Sequence, residues 1–300
     1  MLDRRKFLAG VAAFPFLSCS TQAISLGSAK LTTISDGSLV LPGRFIFEPM
    51  PQDALTELLD TFKVDKKTLV PECNVVLYQD DVNTVLFDVG SGPDFMPSSG
   101  KLLENLELAG VTPQDVTHVV FTHAHPDHIW GLLDDFDELV FSNAAYLMGR
   151  TEWDYWWNPE TVVMIGEARA AFAVGAKRRM EYIENAVQFF DSEQEILPGI
   201  QAIATYGHTL GHMSFEIRKG NESLIIAGDA IGNHHVAFAR PEWPSGSDQE
   251  QDLAVLARKM LLDRIFRESM ILVGFHLPHG GIGRVEKTSE AYRFVQDTLQ

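Results

Sequence analysis

Apolar positions along the chain fall into short runs that alternate between a strand period and a helix period. Residues 74–78 (NVVLY) and 84–89 (TVLFDV) are β-branched and aromatic, and the polar segment 79–83 between them predicts a hairpin. Over 101–109 the apolar positions Leu102, Leu103, Leu106 and Ala109 have helical spacing, and Gly110 closes the segment. Residues 117–122 (THVVFT) form an apolar strand that runs directly into a histidine cluster. Further strands are predicted at 200–205, 215–217, 224–227 (LIIA) and 270–273 (MILV), with a helix over 251–260. Polar, chemistry-bearing residues therefore sit at three strand ends, after 122, 227 and 273, and a fourth group near 208 lies between two strands. A rigid sheet positions ligand-binding loops at such ends. No linker, charge block or short repeat interrupts the pattern, which predicts one α/β domain from about residue 24 to 300 made of two layered halves.

The charge narrows the function. Lys and Arg number 24 against 41 Asp and Glu, a formal net charge of −17. Such a surface repels phosphate backbones and anionic head groups, which argues against nucleic-acid and membrane-surface partners. Residues 1–23 read as a targeting segment. Arg4 and Arg5 followed by Phe7-Leu8 resemble a twin-arginine export motif, with Asp3 where Ser or Thr is usual. The apolar stretch 7–17 is shorter than the ~20 residues of a membrane-spanning helix, so no transmembrane anchor is expected. These features predict an exported, periplasmic protein, with cleavage after Ala23 or, as the weaker alternative, a lipid anchor at Cys19. Cys73 is then the single thiol of the mature chain, so any metal must be held by histidines and carboxylates.

The run His123-Ala124-His125-Pro126-Asp127-His128 supplies such donors. His123 and His125, two apart on extended backbone, point the same way. Pro126 forces a turn and can open a helix at its first position, bringing Asp127 and His128 to the same place. Neutral imidazoles with a carboxylate suit zinc or another first-row metal. The run, with Gly131 after it, resembles the HxHxDH motif of the metallo-β-lactamase superfamily, whose fold is a four-layer αββα sandwich. Phe87-Asp88-Val89-Gly90, Gly207-His208-Thr209-Leu210-Gly211-His212, Ala227-Gly228-Asp229 and Gly274-Phe275-His276 resemble that family's other markers, in order. The resemblance implies two divalent metal ions, zinc foremost. His123, His125 and His208 would hold one, Asp127, His128 and His276 the other, and Asp229 would bridge them. It also implies a hydrolase in which Asp127 and Asp229 orient a bridging hydroxide, with no serine or cysteine nucleophile.

Residues beside these ligands have supporting roles of their own. His212 reads as a support for the ligands, Asp88 as an acceptor orienting the metal loop, and His118 as structural. His234 and His235 read as a solvated loop, with the pocket as the alternative, while His279 is placed to touch substrate. Trp153, Trp156 and Trp157 share a helical face that suits core packing first and a pocket wall second, and Trp130 lies near enough to line the site. The C-terminal stretch from Gly274 to Val295, with His276-Leu277-Pro278 and a glycine-rich turn, resembles the methyl parathion hydrolase and lactonase-like subgroup, with His279 where an aromatic is usual. That likeness implies an ester, lactone or phosphotriester substrate, small, neutral and partly apolar, and is compatible with a homodimer. A β-lactamase and an iron-dependent sulfur dioxygenase of the same fold remain as alternatives.

Overall fold

The computed structural model describes residues 22–289 and 291–296. The paired arginines, the apolar stretch and Cys19 lie outside the described residues, and position 23 falls within the first strand, Gln22–Leu26.

Two seven-stranded sheets form the centre. The first runs in the spatial order Gln22–Leu26, Ala29–Ser38, Glu72–Gln79, Thr84–Phe87, His118–Phe121, Ala145–Gly149, Gln188–Phe190, and its last four strands are parallel. The second runs Glu195–Leu197, Ile200–Ala204, Met213–Lys219, Glu222–Ile226, Ile271–Val273, Ile282–Lys287, Tyr292–Gln296, with one parallel pair, Glu222–Ile226 beside Ile271–Val273. Strands covered on both faces read as continuous apolar runs, which is why THVVFT shows no alternation. Val120 points into the core between the sheets, with Phe87, Phe215 and Ile226. Val119 and Phe121 point the other way, beneath the helices Leu102–Leu108, Arg150–Trp157 and Ala170–Met180. The helix Gln251–Arg267 covers the outer face of the second sheet through Leu261, Leu262 and Ile265. The layers are helix, sheet, sheet, helix: the αββα sandwich of the metallo-β-lactamase fold.

The predicted elements recur with shifted ends. The helix expected over 251–260 continues to Arg267, and the 84–89 strand stops at Phe87, where Asp88 adopts a left-handed backbone (φ 67°). A cap was not anticipated. The two-stranded ladder of Leu41–Pro42 with Thr68–Leu69 and the helices Arg44–Phe47 and Gln52–Phe62 between them pack Phe47, Met50, Leu55 and Leu59 against Val236, beside the metal-loop end of the sandwich. Among the described residues, no helix is long and apolar enough to cross a membrane.

Candidate metal centre

The strand His118–Phe121 delivers Thr122 and then His123 at its end. His125 stands as the N-cap of the four-residue helix Pro126–Ile129, with Pro126 at the first helical position, so Asp127 and His128 turn back toward His123. Asp88 fixes this turn. Its Oδ1 accepts the Thr122 N–H (2.8 Å), and its Oδ2 accepts the Thr122 hydroxyl (2.8 Å) and His128 Nδ1–H (2.8 Å).

The seven residues singled out in the sequence come together as two groups, His123/His125/His208 and Asp127/His128/Asp229/His276, each with donor atoms within 4.8 Å of one another. Hydrogen bonding sets the tautomers. The Thr122 hydroxyl gives its proton to Asp88, so it accepts from His123 Nδ1 (3.0 Å) and leaves a lone pair on His123 Nε2. His208 Nδ1 donates to the acceptor-only carboxylate of Asp248 (3.0 Å), leaving a lone pair on Nε2. His125 Nδ1 lies 3.0 Å from the first lone pair and 2.9 Å from the second. One N–H cannot serve both, whereas a cation at their centre serves all three, so this donor set fits a metal ion. Burial, reinforced by the neighbouring imidazoles, pushes His123 and His125 well below the usual histidine range and keeps them neutral.

The second group is built the same way. His276 Nδ1 donates to the Glu72 carbonyl (2.8 Å) and His128 Nδ1 to Asp88, so both Nε2 atoms face inward as acceptors. They meet carboxylates: His276 Nε2 is 3.2 Å from Asp127 Oδ2, and His128 Nε2 is 3.5 Å from the same oxygen. Asp229 spans both groups, with Oδ2 3.3 Å from His208 Nε2 and from His276 Nε2, and Oδ1 3.3 Å from His128 Nε2. His128 Nε2 and Asp229 Oδ1 are buried without a hydrogen-bond partner, as donors aimed at an ion are. Burial opposes charge on His128 and His276, but the carboxylates of Asp127 and Asp229 outweigh it and hold both well above the usual range. The cluster is thus an anionic site that binds protons until a divalent cation replaces them.

A model of the metallo-beta-lactamase superfamily matches residues 69–267. The chain belongs to that superfamily. It is 22% identical over 259 residues to an N-acyl homoserine lactonase of Bacillus cereus, spanning 84% of this chain and 91% of that one. Among solved structures it is similar to the hydrolase AbOPH of the beta lactamase superfamily, with TM-score 0.86 and 24% identity over 94% of this chain and 99% of that one. It is similar also to AidC, a dizinc quorum-quenching lactonase in complex with a product, with TM-score 0.87 and 24% identity over 94% and 98% of the two chains. At these identities the structural likeness establishes the fold.

Within the superfamily scaffold, His212 supports the donors without facing them. Its Nε2 accepts the Asp229 backbone N–H (2.9 Å) and its Nδ1 bonds the Thr205 hydroxyl (2.8 Å). Asp248 and Glu72, which orient His208 and His276, carry no sequence motif and escaped the sequence reading. An acidic residue forty positions beyond a ligand can be placed only by the fold. Cys73 is fully buried and its thiol is pushed up to about 12, mainly by burial, which removes it as a nucleophile.

A cavity of about 550 Å³ opens onto His125, Asp127, His208, Asp229 and His276. Its far wall is apolar and comes largely from the cap, through Leu41, Phe45, Ile46, Val64, Leu69 and Val70. Here the solvated-loop expectation for His234 and His235 is corrected. Both line the cavity, and His235 is only 4% exposed, packed between Phe47 and Phe62 at centroid distances of 6.0 and 6.2 Å. The cap covers them, and its aromatic residues lie some 170 positions away in sequence. His279 is exposed, and its backbone N–H is held by Glu72 Oε1 (2.9 Å), outside the lining. The tryptophans also stay out of the lining. Trp153 and Trp156 belong to the core, Trp157 stacks on Trp153 (5.0 Å, 17°), and Trp130 packs beneath Arg179. Phe95 and Phe172 stand in the wall instead.

Proposed function

We propose that this protein is a dinuclear zinc hydrolase that opens the ester bond of a neutral lactone or ester bearing an apolar chain. One observation carries the substrate class: an apolar cavity that ends on the two donor groups and has, among its described lining residues, neither lysine nor arginine. Arg169, whose charge acts on His125, is engaged by the Gly246 carbonyl (2.6 Å) and the Phe45 ring and is not part of that lining. A carboxylate or phosphate ester would meet no countercharge in the wall. An acyl chain would find six aliphatic and aromatic side chains of the cap. The likeness to N-acyl homoserine lactonases supports this reading.

A bound pair of divalent ions would supply a water acidified to near-neutral pKa and a place for the charge that develops on the attacked carbonyl. The chain's own residues do the rest. Asp229 spans the two groups and fixes their separation. Asp127, whose carboxyl His128 and His276 hold far below the usual carboxylate range against the effect of burial, stays an anion. As an anion beside Asp229 it would orient the attacking water and accept a hydrogen bond from it. The cap wall excludes water and holds the substrate's chain so that its ester faces the donors. Export of the folded, metal-loaded chain by its paired arginines belongs to the same proposal, and fractionation with an Arg4→Lys/Arg5→Lys variant tests it.

The deciding experiment is metal analysis of the purified protein alongside a panel of lactones, p-nitrophenyl esters, phosphotriesters and a chromogenic β-lactam. Two zinc ions per chain and fastest turnover of long-chain lactones or esters are expected, with Asp229→Ala inactive. Turnover of the β-lactam above every ester, or iron with oxygen uptake on a persulfide, would overturn the proposal.

A further inference from the structure

Glu152 is 1% exposed on the helix Arg150–Trp157, and among the described residues no lysine or arginine hydrogen-bonds its carboxylate. Instead its carboxylate accepts four hydrogen bonds. Oε1 takes the Ala124 N–H (2.9 Å) and the Trp156 indole N–H (2.6 Å), and Oε2 takes the Thr209 hydroxyl (2.7 Å) and the Gly211 N–H (3.0 Å). Four donors match the acceptor capacity of an ionised carboxylate, and only of an ionised one. The identity of the donors matters more than their number. Ala124 lies between His123 and His125, and Thr209 directly follows His208. The two loops that carry the three-histidine group, 83 residues apart in sequence, thus share one side chain.

We propose that Glu152 is the positioning residue that sets the separation of these loops, and so the affinity of the three-histidine group for its metal. The inference rests on the two-metal reading above. Backbone packing reinforces it: a Cβ on Gly211 would stand 2.1 Å from the Glu152 nitrogen, so the His208 loop is seated on the helix as well as bonded to it. Thr122 and Asp88 anchor the start of the His123 loop, where the Thr122 carbonyl also accepts the Met213 N–H (2.9 Å); among the described residues, Glu152 is the side chain that ties Ala124, at the middle of that loop, to Thr209 and Gly211. A glutamine cannot substitute. Its NH₂ would face either the Ala124 and Trp156 N–H groups, which only donate, or the Gly211 N–H, with the Thr209 hydroxyl turning to accept, so at least one backbone donor of one loop would be stranded. The second group makes no bond to Glu152 and should be spared.

The test compares Zn²⁺ and Co²⁺ affinities of wild type, Glu152→Gln and His123→Ala by competition with a chromophoric chelator. His123→Ala identifies which binding step belongs to the three-histidine group. In Glu152→Gln that step should weaken by about 10–100-fold, the usual range for loss of a residue supporting metal ligands, while the other step is unchanged. The visible Co²⁺ spectrum of the weakened site should shift, which a general loss of stability would not produce. Thr209→Val removes one of the four donors, should show a smaller weakening of the same step, and carries the test if Glu152→Gln does not fold. Wild type binding two ions, with that step unchanged in both variants or with both steps weakened equally, overturns the role of Glu152 alone. Wild type binding fewer than two ions overturns the metal reading and this inference together.

Discussion

Asp88 occupies a left-handed conformation (φ 67°) that a non-glycine residue adopts at a cost of about 1–3 kcal/mol, and its three accepted hydrogen bonds explain why the position is not glycine. Two substitutions separate backbone from side chain. Asp88→Ala keeps the strain and strands the Thr122 N–H and His128 Nδ1–H, so it should lose about 2–6 kcal/mol in urea unfolding, since each stranded donor costs about 1–3 kcal/mol. Asp88→Gly relieves the strain and should recover about 1 kcal/mol of that. Neither should recover metal affinity at the His128 group, because the acceptor that orients His128 is gone in both. Full metal affinity in Asp88→Gly would show that the turn alone places His128. His235 makes the opposite case. Its Nδ1 is buried without a partner, and burial pushes its pKa down to about 3, so the ring is neutral and its polarity is unsatisfied. His235→Phe, placed between Phe47 and Phe62, should leave the melting temperature at or above that of wild type, because replacing an unpaired polar group with an apolar one of similar shape is neutral or favourable. A marked fall would show that Nδ1 has a partner in solution.

Between elements, the critical contacts are backbone to backbone. Gly207 (φ 127°) lies where a Cβ would come 2.1 Å from the Ala254 nitrogen, and its carbonyl accepts the Glu250 N–H (2.9 Å), so the start of the helix Gln251–Arg267 is docked on the His208 loop. Gly207→Ala should therefore cost about 1–3 kcal/mol of stability through overpacking and weaken metal binding at the three-histidine group, both measurable on one purified variant. Unchanged metal binding would show that the loop tolerates displacement of the helix. The sequence made some of these elements legible and hid others for physical reasons. Strands buried on both faces announce themselves as apolar runs, and donor residues clustered at their ends are visible as a motif, as in residues 117–128. Ala29–Ser38 was invisible because it buries Thr32, Thr33 and Asp36 among its apolar residues, and Asp36 accepts the backbone N–H groups of Ser91, Gly100 and Leu102, which only the fold brings to it. The strand Ile282–Lys287 and its neighbour at the sheet edge, Tyr292–Gln296, carry charges that mask their period. The cavity wall was invisible for another reason. Phe45, Ile46 and Val64 read as scattered surface apolar residues until the cap brings them over Asp229.

The whole molecule carries two levers, bound metal and net charge. Because the donor groups exist only in the folded chain, each ion present at 100 times its dissociation constant adds about 2.7 kcal/mol, and chelation should lower the melting temperature in proportion to the ions removed. The second lever tests substrate class without knowledge of the substrate. A protein of net charge −17, with a cavity wall free of described lysine and arginine, surrounds its site with a negative field that salt shortens from about 30 Å at 0.01 M to about 10 Å at 0.1 M. A neutral lactone does not feel that field, so its kcat/KM should stay flat across this range. A matched anionic analogue should be turned over slowest at low salt and should gain as salt screens the repulsion, raising kcat/KM with little change in kcat. The ratio of neutral to anionic turnover is therefore expected to shrink as salt rises. An anionic substrate favoured at low salt and progressively lost at high salt would have the opposite sign, and would require a cationic guide at the cavity mouth in place of a lining whose charged residues beyond the donor groups are the acidic Asp65 and Glu72.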